Sequence, residues 1–131
     1  MGAGPFGVIA NEPGLTIMFG ARSNADAGFA RALEKLGGTL ELATDDGSAG
    51  YHGTVVDLLS HKLESGSRPD AIYTCGPTPM MAAVAAVARK HQVTCWASLE
   101  ERMGCGYGVC RGCVIRDVDD QVTCMCTDGP V

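Results

Sequence analysis

From Leu15 onward the chain switches between two hydrophobic periods. Leu15–Ala21 (LTIMFGA), Thr39–Thr44 (TLELAT), Asp70–Thr74 (DAIYT) and Val93–Ala97 (VTCWA) are apolar or alternating runs of strand length. Helical patterns lie between them. Asn24 is placed to cap a helix with Phe29, Leu33 and Leu36 on one face, and Gly37 stops it. Thr54–Leu63 has a helical period. Thr78 and Pro79 open an Ala-rich helix through Arg89, where Arg89, Lys90 and His91 suit the negative end of the helix. Strands alternating with helices of this length predict parallel βαβ units, hence an α/β fold with a partial doubly wound parallel sheet.

Ligands of such sheets bind beyond the carboxyl ends of the strands. Three unusual loops fall there: Gly20-Ala21-Arg22, Thr44-Asp45-Asp46-Gly47-Ser48 and Cys75-Gly76-Pro77. Glycine lets a backbone approach a ligand closely, and a helix start attracts phosphate. Their convergence predicts a nucleotide edge, although a DDG triplet also serves as a plain turn. Cys75 meets a helix N-terminus, which lowers a thiol pKa where the thiol faces ligand; the other reading is a small buried apolar residue. Cys95 reads as core, and Trp96 as core or a lid. His52, His61 and His91 have no metal spacing and read as solvated or capping residues.

The pattern changes at Ser98. Ser98-Leu99-Glu100-Glu101 is a capping box that predicts a brief helix ended by Gly104. The loop MGCGYGVCRGC follows, and then Val114–Val118 and Gln121–Cys126 flank Asp119-Asp120 as a hairpin. Two regions are therefore expected, residues 1–97 and residues 98–131.

Charge and composition narrow the chemistry. With 10 Lys+Arg against 15 Asp+Glu the net charge is −5, and no basic stripe suits a nucleic-acid backbone. The longest uncharged run, Ala71–Ala88, is broken by Gly76, Pro77 and Pro79, so no membrane insertion is expected. The N-terminus has neither a charged region nor a long apolar run, so a cytoplasmic, reducing setting is expected. There, seven cysteines point to metal or redox chemistry more than to disulfides.

Cys105, Cys110 and Cys113 have the C-x4-C-x2-C spacing of plant-type 2Fe–2S proteins. Gly104, Gly106, Gly108 and Gly112 make room for the loop to wrap a cluster and aim amides at its sulfurs. A fourth thiolate is needed. Cys126, separated from Cys113 by twelve residues, is favoured because the turn Asp128-Gly129-Pro130 follows it; Cys124 is the rival. On an alternating strand both would point to the same side. Structural zinc usually takes paired C-x2-C knuckles, of which one is present here. Nothing in the chain is arranged for acid–base or nucleophilic catalysis, so by itself it is not expected to be a complete enzyme.

Cys75–Met80 (CGPTPM) looks like the CGPxPM signature of the ferredoxin–NAD(P) reductase superfamily. Ser98–Cys113 (SLEERMGCGYGVCRGC), with Cys126–Val131 (CTDGPV) and Thr44–Val55, closely resembles the electron-transfer subunit of type B dihydroorotate dehydrogenase. The resemblance implies a path of pyrimidine biosynthesis: NADH gives hydride to FAD, and electrons pass through a 2Fe–2S cluster to an FMN-containing catalytic subunit in a hetero-oligomer. It also implies Cys105, Cys110, Cys113 and Cys126 as cluster ligands. By the same carry-over Cys75, Gly76 and Pro77 form the nicotinamide-side loop, and Gly20, Ala21, Arg22, Thr44, Asp45, Asp46 and Gly47 the nucleotide loops. The family's FAD-binding barrel has no counterpart in this sequence, and its first βα unit has at most Met1–Gly7, so flavin binding by this chain alone is not expected. Arg22 suits a 2′-phosphate and Asp45 and Asp46 repel one, which favours NADH. Two other readings stay open: a relay that docks on a flavoprotein without touching NADH, including in related NADH–ferredoxin or sulfhydrogenase complexes, and a zinc-stabilised structural domain.

Overall fold

The computed structural model describes residues 14–116 and 119–128; the Met1–Gly7 segment, Val118 and Gly129–Val131 lie outside these. The chain forms two compact units, divided between Ser67 and Arg68.

In the first unit, β1 (Thr16–Ala21) and β2 (Thr39–Thr44) pair in parallel, from Thr16 opposite Thr39 to Ala21 opposite Thr44. The connection between them is helical but broken: α1 is only Ala30–Leu33, flanked by 3-10 turns Asn24–Phe29 and Glu34–Leu36. The expected Asn24 cap does not form. The cap position falls on Ser23, whose hydroxyl donates to Asp26 Oδ2 at 2.9 Å and makes no cap bond to a helix amide. Gly28, costly inside a helix, also weakens the start. Ala27, Ala30 and Leu33 are buried, whereas Phe29 is half exposed with its ring centroid 6.4 Å from that of Phe19.

A short β3 (Tyr51–His52) pairs in parallel with β2, an element no periodicity in the sequence announced. α2 (Val55–Glu64) packs on β1 and β2 through Leu58, Leu59 and Leu63. Its start is a full capping box, with Thr54 Oγ1 accepting from the Asp57 amide at 3.1 Å and Asp57 Oδ2 accepting from the Thr54 amide at 3.0 Å. These Thr54 bonds hold the Asp57 carboxyl below its ordinary range. A group with a depressed folded pKa stabilises the fold above its unfolded pKa, and that contribution fades as pH falls through the folded value. Thr54→Ala is expected to cost ~1 kcal/mol at neutral pH and Thr54→Ser much less. Asp57→Asn should differ from wild type at neutral pH and converge with it in acid; denaturant melts across pH check this. Lys62 Nζ lies 2.6 Å from Glu41 Oε1, tying α2 to β2.

In the second unit, β4 (Ala71–Cys75) and β5 (Thr94–Ser98) pair in parallel, with Cys75 opposite Ser98. Between them runs α3 (Thr78–Lys90), which buries Met81, Val84 and Ala88, and His91 is its C-cap residue. Tyr73 and Trp96 face each other across these strands and are 68% and 60% exposed, so Trp96 is not core. Cys95 is half-buried, less than its core reading required.

The capping-box helix at Ser98–Glu101 does not form. Ser98 ends β5, and residues 99–103 have no regular structure. Only a few residues separate the box from Gly104, fewer than a helix needs to repay nucleation. Beyond the cysteine loop, β6 (Val114–Arg116) and β7 (Val122–Cys124) make an antiparallel hairpin with Val114 opposite Cys124. The second strand stops earlier than alternation suggested: Met125–Asp128 turns into a one-turn helix, α4. No helix among the described residues is long and apolar enough to cross a membrane.

Candidate metal centre

The cysteine loop emerges from residues 99–103 and returns through the hairpin. Cys113, 2% exposed, sits just before β6, and its carbonyl accepts from the Met125 amide at 3.1 Å. Met125 is itself buried, and Asp128 Oδ2 accepts from the Cys124 amide at 2.8 Å. These contacts bend the chain after Cys124 so that Cys124, ending β7, and Cys126, on α4, both face Cys113. The strand alternation expected for the pair is thus wrong in mechanism, although both sulfurs do share one side. The three sulfurs lie mutually within 4.8 Å, with Cys124 Sγ at 3.7 Å from both Cys113 Sγ and Cys126 Sγ.

Amides of the loop are aimed at sulfur. The Gly108 amide donates to Cys126 Sγ at 3.1 Å, the Cys110 amide to Cys105 Sγ at 3.4 Å and the Gly112 amide to Cys110 Sγ at 3.4 Å. Glycine makes this possible at Gly108, where φ is +87° and an added Cβ would stand 3.0 Å from Thr127 Cγ2. Arg111, between Cys110 and Gly112, also adopts a left-handed φ of 52°, strain of the kind that clusters at ligand-binding loops.

The thiols respond to this field. Amides of Cys110 and Tyr107 bring Cys105 down to about 6, against the opposing effect of burial. Cys126 is pushed up to about 12, chiefly by its hydrogen bond with the Cys113 side chain and then by burial. Cys124 is lowered, first by the Thr127 hydroxyl. In chain free of metal, Cys105 is therefore expected to react with iodoacetamide at a rate that climbs from about pH 6, ahead of Cys126. Mass mapping of alkylated peptides at pH 6 to 9 reads this directly, and a Cys105 rate that rises only near the ordinary thiol range contradicts it.

This donor set fits an iron–sulfur cofactor. The sulfurs of Cys113 and Cys126 lie within 4.8 Å of each other, near enough for two thiolates to share one metal, whose tetrahedral S···S edges are about 3.8 Å. The amides that reach these sulfurs are the groups that orient and tune such ligands.

The nucleotide-edge residues are placed differently from the cysteines. Gly20-Ala21-Arg22 and Thr44–Ser48 do come together, because the Asp45 and Asp46 amides donate to the Ala21 and Arg22 carbonyls at 3.1 and 3.2 Å, and the Asn24 amide to Ser48 Oγ at 2.7 Å. Much of their chemistry is engaged internally. Val55 Cβ occupies the room beside Gly20, 3.0 Å from where a Cβ would stand. Thr44 is fully buried, its hydroxyl donating to the Ala49 carbonyl at 2.7 Å. Asp46 Oδ1 accepts from the Ser48 amide and hydroxyl at 2.9 and 2.6 Å, which lowers its pKa. A Cβ on Gly47 would stand 2.8 Å from the His52 ring. Arg22 and Asp45 remain exposed.

Cys75, Gly76 and Pro77 end β4 and lead into α3. Cys75 is exposed, and its thiol is raised rather than lowered, by desolvation and then by the charge of Glu100. The buried apolar reading of Cys75 therefore does not hold, and the lowering expected at the helix start is reversed, by desolvation first and by the Glu100 carboxylate second. That carboxylate belongs to the segment expected to be helical, so its proximity was not visible in the sequence.

Residues 100–131 match the family described as the iron–sulfur cluster binding domain of dihydroorotate dehydrogenase B. The chain is 40% identical over 115 residues to a dihydroorotate dehydrogenase B (NAD(+)) electron transfer subunit homolog of Aquifex aeolicus, covering 88% of this chain and 43% of that one. It is 40% identical over 124 residues to the electron transfer subunit of Listeria monocytogenes, covering 92% and 46%. Among solved structures, one described as an NADH-dependent reduced ferredoxin-NADP oxidoreductase, studied for flavin-based electron bifurcation, superposes with a TM-score of 0.75 at 32% identity. That match covers 89% of this chain and 41% of the other. The chain thus spans a little under half the length of the curated relatives it matches. It is therefore similar to the dihydroorotate dehydrogenase B electron-transfer subunits over a little under half of their length, and its residues 100–131 match the iron–sulfur cluster binding domain of that enzyme.

Proposed function

We propose that the chain works as part of an electron-transfer subunit that passes electrons from NADH, by way of FAD, through a 2Fe–2S cluster to a partner flavoprotein of the dihydroorotate dehydrogenase type. The observation that carries this reading is the aim of the Gly108, Cys110 and Gly112 amides at three thiol sulfurs. Cys105, Cys110, Cys113 and Cys126 are assigned as the residues that would hold the cluster. Cys126 is preferred to Cys124 because it is the one that receives a loop amide.

When bound, such a cluster supplies one-electron transfer between flavins. The chain's own residues do the rest. Four thiolates would hold it, and the Cys105 thiol is already drawn toward the ligating form. Loop amides stabilise charge on the sulfurs, which sets the potential. Tyr107 and Val109, 69% and 72% exposed, offer apolar surface beside the loop for a partner. The cluster-binding region is taken as residues 98–131 and the nucleotide-binding region as 1–97. Gly20, Ala21, Arg22, Thr44, Asp45, Asp46 and Gly47 are assigned as nucleotide-loop residues of the first unit, and Cys75, Gly76 and Pro77 as a nicotinamide-side loop of the second.

Anaerobic absorption and electron paramagnetic resonance spectra, with iron and sulfide assays, test the cluster. A red-brown protein with a rhombic signal after dithionite reduction supports it; a colourless protein that keeps zinc after reconstitution with iron and sulfide refutes it. A second reading, a relay that never touches NADH, is favoured by the internal engagement of Thr44 and Asp46. Calorimetric titration with NADH separates the two, because micromolar binding excludes the second.

A further inference from the structure

The cysteine site holds one sulfur more than four ligands require. Cys124 Sγ stands 3.7 Å from Cys113 Sγ and 3.7 Å from Cys126 Sγ, so it makes a tetrahedral-edge contact with either. Its backbone is also well held. Cys124 pairs with Val114 across the hairpin, and its amide is bonded to Asp128. Cys126, in contrast, rides on a single helical turn. What distinguishes Cys126 is the Gly108 amide, 3.1 Å from its sulfur.

We propose that Cys124 is a reserve ligand: with the Cys126 thiolate removed, an iron–sulfur cluster assembles on Cys105, Cys110, Cys113 and Cys124. The inference rests on the reading that this loop holds a cluster. The exchange is a ligand substitution without redox change: the Cys124 thiol gives its proton to solvent and its sulfur occupies the position left on iron. Among the described residues the backbone amide acting on Cys124 is that of Cys126 and not a loop amide such as Gly108's, so the substituted cluster has a different hydrogen-bond field and a shifted spectrum and potential. In the intact chain Cys124 is the unligated thiol. It lines an open depression of about 560 Å³ with Tyr107, Val109, Arg111 and Val122, within reach of a thiol reagent.

The test uses the full chain as wild type, Cys124→Ala, Cys126→Ala, Cys126→Ser and the Cys124→Ala/Cys126→Ala double variant, each reconstituted anaerobically with iron and sulfide. Cys126→Ala is expected to retain a cluster with displaced absorption bands and resonance signal. Cys124→Ala should match wild type, and the double variant should lose the cluster. Maleimide should label Cys124 in loaded wild type and spare it in loaded Cys126→Ala and Cys126→Ser. Circular dichroism establishes that each variant is folded. A folded Cys126→Ala or Cys126→Ser chain without cluster, beside a loaded wild type, overturns the reserve role alone. A cluster retained in the double variant, or Cys124 still labelled in loaded Cys126→Ala, overturns it too. A wild type that takes up no iron overturns both the reserve role and the reading beneath it.

Discussion

Cys105→Ala, reconstituted anaerobically in the full chain, is expected to yield a colourless protein with almost no bound iron or sulfide. The Cys105 thiol is drawn down to about 6 by the Cys110 and Tyr107 amides. The described group of three thiols mutually within 4.8 Å does not include Cys105, so no reserve sulfur is placed to replace it. Changes to outer-shell partners alone lower metal affinity by roughly 10–100-fold, and removing a ligand thiolate exceeds that. The fold should survive, because Cys105 is half-buried and belongs to no strand or helix. Iron and sulfide assays beside circular dichroism read both halves of the expectation. A Cys105→Ala protein as brown as wild type would remove this cysteine from the ligand set.

Gly50→Ala is the second large effect, and it falls on stability. Gly50 has a φ of +65°, and an added Cβ would stand 2.1 Å from the Leu42 carbonyl oxygen and 3.0 Å from Leu42 Cβ. The carbonyl is backbone of β2 and cannot swing aside as a side chain does. The Thr44 hydroxyl bonds to Ala49, and β3 begins at Tyr51, so the turn has little slack on either side. The substitution is expected to cost on the order of 3 kcal/mol, a left-handed strain added to a backbone clash. For a domain of this size that lowers Tm by roughly 10–20 °C. Gly28→Ala, with open space around it, serves as the control and should hold or raise stability. A Gly50→Ala protein melting within a few degrees of wild type would mean that β2 and the loop shift apart at small cost.

Local pattern made several elements legible. Thr39–Thr44 and Thr78–Lys90 carry clear periods and good boundary residues, and they form nearly as read. The segment after Asn24 failed because its cap hydroxyl bonds to Asp26 and Gly28 interrupts it. The Ser98 capping box failed because propensity at a helix start cannot act on a segment too short to nucleate. Such misses share a cause: the local signal was present, and a competing contact or a missing length outweighed it.

The sequence by itself determined the kind of chemistry. Three cysteines in C-x4-C-x2-C spacing among four glycines specify a cluster loop wherever the rest of the chain lies, since ligand reach and backbone clearance are local properties. Tertiary structure decided which sulfurs meet. Buried Met125 and the Asp128–Cys124 bond turn the chain after β7, and that turn brings Cys124 and Cys126 together onto Cys113. It also decided that Thr44, Gly20 and Asp46 build the edge of their strands, because the partners engaging them, Ala49, Val55 and Ser48, are set by loop closure and helix packing rather than by spacing.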